Sequence, residues 1–209
     1  MRGIFITFEG LDACGKSLQL KKLSQQLSSR GNAVLEIREP GGTSLSERIR
    51  QVVLQQSDVP VNRAAEFLLY SAARAQLVSE VIKPALNQGK TVLCDRYYDS
   101  STAYQGYGRG IDSESIDQVN MFATSGLAPD ITFLLDITIA EMKNRQRKMN
   151  AALDRIESEN DDFFSKVRDG YLELAQKHSD RIIVIDGMQT ITEITEQIWN
   201  YTWSYLQGV

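Results

Sequence analysis

Cysteine, proline and histidine are all scarce in this chain. Two cysteines, Cys14 and Cys94, do not make a disulfide framework and fit a reduced, cytoplasmic setting. Four prolines, with no Gly/Ser-rich linker, mark no domain boundary. The single histidine, His178, stands in a polar late helix and reads as a surface residue. No apolar run approaches the ~20 residues a membrane span requires. Met1–Phe8 is too short and too soon interrupted to read as a signal peptide. Positive charge does not dominate: 23 Lys and Arg against 27 Asp and Glu give a net charge of −4, which argues against a dedicated nucleic-acid binder. What remains is ordinary globular composition, 42% hydrophobic and 24% charged over 209 residues. A chain of this length reads as one domain spanning 1–209, able to bury roughly 70% of its unfolded surface.

Short β-branched runs alternate with longer helical patterns. The runs are Ile4–Phe8, Ala33–Ile37, Thr91–Cys94, Ile131–Leu135 and Ile182–Ile185. Such near-continuous apolar stretches suit strands buried on both faces of a parallel sheet. Leu20, Leu23 and Leu27 recur at spacings of three and four, which predicts an amphipathic helix ended near Gly31. Further helical patterns cover roughly 44–55, 63–87, 113–125, 138–150, 161–178 and 190–206, with Pro84 expected to bend or interrupt the second of these. The alternation predicts a three-layer α/β domain with right-handed crossovers.

The sharpest local signal is Gly10-Leu11-Asp12-Ala13-Cys14-Gly15-Lys16-Ser17, a full match to G-x-x-x-x-G-K-[ST] between the first strand and the first helix. The glycines let backbone N–H groups converge on a phosphate, and the helix N-terminus adds partial positive charge. Lys16 would reach the β- and γ-phosphates, and Ser17 would offer a hydroxyl to Mg²⁺. The chain is therefore expected to bind a nucleoside triphosphate. No Asn-Lys-x-Asp base-reading segment of a regulatory GTPase is present. Small kinases fit the size.

Asp95 and Arg96 fall at the end of the third strand, where open α/β sheets line their ligand crevice. Asp95 is placed to orient Mg²⁺ or its waters, and Arg96 to meet an anion; a plain surface pair is the alternative. Other segments join them: Arg38–Thr43, Tyr70-Ser71-Ala72-Ala73-Arg74, Asp95–Gly106 and Leu153-Asp154-Arg155-Ile156-Glu157. Together with the phosphate loop, in this order, they resemble thymidylate kinase (dTMP kinase), a nucleoside monophosphate kinase of the P-loop type. The resemblance implies a five-stranded parallel sheet surrounded by helices, a mobile lid at about 141–158, and usually a homodimer. It implies transfer of phosphate from ATP, with Mg²⁺, to dTMP in the dTTP pathway.

The same resemblance assigns roles. Tyr70 takes the place of an aromatic, usually phenylalanine, that stacks on thymine; a core aromatic is its other reading. Arg74 has donors only and can pair with thymine O4, where cytosine presents an amino group. Ser101 and Gln105 resemble residues completing the base contacts, against the alternative of a solvated helix start. Tyr104 falls where the family closes the sugar pocket, with plain packing as its other reading. Arg96 and Arg50 resemble the two arginines holding the acceptor phosphate, a role suited to their fixed fork; a solvated helix face is the other reading of Arg50. Asp12 resembles the carboxylate on the acceptor's 3′-hydroxyl, and Glu39 an acid near the metal and acceptor phosphate; a structural hydrogen-bond acceptor is the other reading of both. Leu18 departs from the Thr or Ser common at its position.

Lys143, Arg145, Arg147, Lys148 and Arg155 cluster after the fourth strand. Alone they read as a solvated helix face. Phosphoryl transfer, however, spreads negative charge that positioned cations stabilise. The phosphate loop holds Ala13 and Cys14 but no arginine, so the resemblance implies that Arg145, Arg147 and Arg155 supply the charge. The acceptor phosphate, with a second pKa near 6, needs no general base. A kinase acting on a deoxynucleoside or another small hydroxyl acceptor, and a nucleotide-binding switch without turnover, are the rival readings.

Overall fold

The computed structural model describes residues 2–56, 60–149 and 152–208. Five strands, β1 (Phe5–Glu9), β2 (Val34–Arg38), β3 (Thr91–Asp95), β4 (Ile131–Asp136) and β5 (Ile182–Asp186), form one sheet. Their order is β2-β3-β1-β4-β5, and every pairing is parallel. Helices α1 (Lys16–Ser28), α2 (Ser44–Leu54), α3 (Arg63–Leu77), α4 (Lys83–Asn87), α5 (Tyr98–Ser101), α6 (Ser113–Thr124), α7 (Ile139–Met149), α8 (Asp161–Lys177) and α9 (Ile191–Gln207) connect them. This is the expected five-stranded α/β arrangement.

Alternation along the strands divides the core. Ile6, Phe8, Leu93 and Phe133 pack on one face with Leu20, Leu23 and Leu27 of α1, as the three-four spacing predicts. Phe5, Val92 and Cys94 turn to the other face against Leu77, Val78 and Ile82. Each fully buried Phe of this kind stabilises the fold by roughly 1.5–3 kcal/mol. The central strands are buried on both sides, but β2 and β5 are not. In β2, Glu36 and Arg38 are exposed and the apolar residues only half-buried; in β5, Val184 is 47% exposed. Both are edge strands, and an apolar run carries no record of whether a neighbour lies beyond it.

Pro84 acts as expected, one turn upstream. Helix α3 opens into a π-helical turn over Val78–Ile82 before α4 resumes, and Pro84 occupies the first turn of α4. The wider turn accommodates a residue with no N–H. The helical segment after β3 was not predicted: α5 runs into a second π-helical turn, Thr102–Gly108. Side-chain caps set several helix starts, among them Thr43 for α2, Asn62 for α3 and the Thr190–Glu193 box of α9. No helix is long and apolar enough to cross a membrane among the described residues. His178 is exposed.

Candidate active site

The phosphate loop leaves β1 through Gly10, whose φ of +132° suits glycine. A Cβ there would lie 2.4 Å from the Leu135 carbonyl oxygen, so the loop passes close to β4. Ala13 and Gly15 also take positive φ, at 57° and 107°, and α1 begins directly after. Leu11 and Cys14 are buried beneath the loop. Lys16 Nζ donates to the carbonyls of Leu11 (2.9 Å) and Gly10 (3.3 Å), curling over the turn. Ser17 Oγ donates to Asp95 Oδ2 at 2.5 Å. The parallel register that puts Asp95 opposite Phe8 delivers this carboxylate to the mouth of the loop. Leu18 points outward, 42% exposed.

Of the three arginines expected to supply positive charge, one reaches the loop. Arg145 Nη1 donates to the carbonyls of Cys14 (3.3 Å) and Ala13 (3.5 Å), and Nη2 to Gly187 O at 2.8 Å. Glu141, one turn earlier on α7, holds its Nε at 2.7 Å. Arg147 and Lys148 are exposed, and Lys143 pairs with Asp161. Arg155 lies elsewhere than expected. Its Nη1 pairs with Glu66 Oε2 at 2.7 Å and its Nε donates to Val53 O at 2.9 Å, which turns it toward α2 and α3. The buried Glu66 carboxylate attracts that guanidinium, whereas the loop's own carboxylate, Asp12, is engaged by Arg96. Asn150 and Ala151, inside the expected lid, lie outside the described residues.

Beside the loop lies a pocket of about 150 Å³, lined by Asp12, Glu39, Arg50, Tyr70, Arg74, Arg96, Ser101, Tyr104 and Gln105 among others. Every residue expected at the acceptor site thus meets in one cavity. Arg96, itself at φ 71°, is its centrepiece. Its Nη2 donates to Asp12 Oδ1 at 2.5 Å, and its Nη1 to Gly10 O at 2.9 Å. Tyr104 OH donates to Asp12 Oδ2 at 3.2 Å. Burial alone would raise Asp12, but the charges of Arg96 and Lys16 hold its carboxyl below the usual range. Arg50 Nη1 donates to Pro40 O at 3.0 Å; burial, with Arg38 nearby, lowers its pKa.

Behind Arg96 stands a network that sequence reasoning missed. Glu9, buried at the end of β1, accepts from Tyr97 N (2.7 Å), Ser100 Oγ (2.6 Å) and Tyr171 OH (2.8 Å). Burial, with Asp99 nearby, pushes its pKa up to about 7. Arg96 Nη1 donates to both of those hydroxyls at 3.2 Å. The available signal was a carboxylate closing an otherwise apolar strand.

At the far end of the pocket, Arg74 is 2% exposed and almost fully engaged. Its Nε donates to Glu39 Oε2 (2.8 Å), Nη1 to Asn120 Oδ1 (3.1 Å), and Nη2 to Ser101 Oγ (3.0 Å) and Tyr97 O (3.3 Å). An arginine has five N–H groups, so one, on Nη1, is left for a ligand. Glu39 accepts from Arg74 directly, as its structural-acceptor reading has it, and its Oε1 is buried with no partner among the described residues. Burial outweighs Arg74 and pushes Glu39 up to about 7. Ser101 and Gln105 are buried rather than on a solvated helix start. Tyr70 is half-buried on the pocket wall.

The phosphate loop, the Arg96–Asp12 pair beside it and the slot that ends at Arg74 thus lie together. A family model described as thymidylate kinase matches residues 8–198. The chain belongs to the thymidylate kinase family. It is 44% identical over 206 residues to the thymidylate kinase of Thermoanaerobacter sp. (strain X514), covering 99% of this chain and 100% of that one. It is 45% identical over 208 residues to the thymidylate kinase of Caldanaerobacter subterraneus subsp. tengcongensis, covering 100% and 99%. The crystal structure of thymidylate kinase from Ehrlichia chaffeensis superimposes with a TM-score of 0.77 at 35% identity, covering 97% of this chain and 99% of that chain. Membership of this family makes the chain a dTMP kinase of nucleotide biosynthesis.

Proposed function

We propose that this chain transfers the γ-phosphoryl group of ATP to dTMP, giving ADP and dTDP, with donor and acceptor held on opposite sides of the Asp12–Arg96 pair. The observation that carries this division is the pocket joining Arg96 and Asp12, beside the phosphate loop, to Arg74 at its distal end. The loop amides and Lys16 hold the donor phosphates. Arg96 and Arg50 hold the acceptor phosphate, Tyr70 stacks on the base, and the remaining Arg74 N–H meets thymine O4. Tyr104 packs against the sugar.

Mg²⁺ prefers oxygen donors and keeps part of its shell for water and phosphate oxygens, so few protein ligands suffice. The hydroxyl of Ser17 and carboxylate of Asp95, 2.5 Å apart, fit that requirement. No cage of three or more acidic, His or Cys groups exists among the described residues, which accords with a metal held largely by the nucleotide. Bound there, Mg²⁺ supplies charge neutralisation on the donor phosphates. Arg145 adds a cation at the rim of the loop. No base removes a proton, because the dianionic acceptor is already nucleophilic; the residues align phosphates and exclude water.

A homodimer is supported by the apolar side chains exposed on α3 and α6, namely Leu68, Met121 and Phe122. Two free cysteines support a cytoplasmic setting. A coupled assay with ATP, Mg²⁺ and a panel of nucleoside monophosphates tests the function. Preference for dTMP is expected; preference for AMP, GMP or CMP would overturn the roles of Tyr70 and Arg74. Phosphorylation of thymidine alone would favour the hydroxyl-acceptor kinase.

A further inference from the structure

Gln105 poses a question that Arg74 does not. A guanidinium only donates, but a primary amide can turn either its oxygen or its NH₂ toward a ligand. The two orientations read opposite bases, since thymine carries a proton on N3 and cytosine carries a lone pair there. What decides the orientation lies behind Gln105. Glu66, on the first turn of α3 and 1% exposed, accepts from Gln105 Nε2 at 3.0 Å. Its other lone pairs are taken by Arg109 Nε (3.1 Å) and Nη2 (3.2 Å) and by Arg155 Nη1 (2.7 Å). Four donors on two oxygens saturate a carboxylate. Burial would raise Glu66, but its bonds to Arg109 and Gln105 hold it below the usual carboxylate range.

We propose that Glu66 is the positioning residue that fixes the polarity of base reading: an acceptor-only carboxylate captures the Gln105 NH₂ and leaves the Gln105 carbonyl oxygen to face the base. The assignment of Gln105 Oε1 to the pocket follows from chemistry, since a carboxylate with no proton cannot donate to that oxygen. Gln105 lines the pocket, and no bond to its Oε1 exists among the described residues. The base then meets one donor, from Arg74, and one acceptor, from Gln105. That pair matches O4 and N3–H of thymine or uracil and opposes both corresponding groups of cytosine. The inference rests on the dTMP reading above. It also gives Arg155 its work, which is holding Glu66 rather than touching phosphate.

The test compares kcat/KM for dTMP and dCMP. In Glu66→Gln the new amide can donate, Gln105 is free to turn, and the dTMP:dCMP ratio is expected to fall about ten-fold or more. Most of the fall should come through KM. In a Gln105→Leu background the same substitution is expected to leave the ratio where Gln105→Leu alone put it. An unchanged ratio in folded Glu66→Gln, or an equal further drop in the Gln105→Leu background, overturns the proposal. If Glu66→Gln does not fold, NMR of the wild-type protein decides. The Gln105 side-chain NH₂ resonance, assigned by its loss in Gln105→Leu, is expected to stay put when dTMP is added. A large shift would place NH₂ against the base and overturn the proposal. A wild-type enzyme with no preference for dTMP over dCMP would instead sink the functional reading itself.

Discussion

Replacing Arg74 with methionine separates the charge work of the base slot from its packing. The substitution keeps a long apolar stem but removes donors to Glu39, Asn120, Ser101 and Tyr97. At pH 6 Glu39, whose pKa is pushed up to about 7, is mostly neutral with or without Arg74. The cost there is the lost hydrogen bonds, about 1–3 kcal/mol for each buried acceptor left unpaired. Above pH 7 the wild-type carboxylate ionises and is paid for by its partner, whereas in Arg74→Met it stays protonated to a higher pH. The gap between the two proteins then widens by about 1.4 kcal/mol per pH unit until the variant's own Glu39 ionises. Between pH 6 and pH 8.5 that amounts to roughly 2 kcal/mol, or about 4–8 °C in melting temperature for a chain of this size. For wild type alone the sign is the opposite of a surface carboxylate. A raised Glu39 contributes stability below its unfolded pKa and loses it as pH rises through about 7. Urea melts of both proteins across this range provide the assay. Parallel stability curves would refute the reasoning, because they would mean that Glu39 does not depend on Arg74 for its charge.

Other substitutions test the remaining parts. Arg145→Ala is expected to lower kcat by at least ten-fold with the melting temperature little changed, while Arg155→Ala lowers melting temperature and the dTMP:dCMP ratio more than kcat; steady-state kinetics and calorimetry on both separate these roles. Lys16→Ala and Arg96→Ala are each expected to cut turnover by orders of magnitude in folded protein, and near-normal rates in either would count against the assigned contacts. Gly10→Ala should destabilise by more than 1 kcal/mol and abolish nucleotide binding, since its Cβ would press on the Leu135 carbonyl and φ of +132° disfavours any side chain; an isothermal titration with ATP checks it.

What the sequence made legible depended on contiguity. The phosphate loop is eight consecutive residues between a strand and a helix, so its chemistry and its context are read together. The buried strands were equally plain, but the exposure of Glu36, Arg38 and Val184 was not, because edge position is a property of sheet order. The helical stretch Tyr98–Gly108 escaped notice because serine, threonine and glycine interrupt its apolar period. The outer partners of the site were hidden for a different reason. Asn120 meets Arg74 across 46 residues, Glu66 meets Gln105 across 39, and Tyr171 meets Glu9 across 162. Besides Glu9 at the end of its strand, Glu66 left a trace, since Glu66, Tyr70 and Arg74 stand four residues apart along one face of α3.

The bonds from Arg96 Nη1 to Gly10 O and from Nη2 to Asp12 Oδ1 tie the two halves of the active centre directly. The main chain repeats the tie, with Arg96 N donating to Phe8 O at 3.0 Å. The gap that the travelling phosphoryl group must cross is therefore set by adjacent rungs of one parallel ladder, not by the reach of flexible arms. Side chains around it can be exchanged during evolution to suit another nucleobase, while the span between giver and taker stays the same.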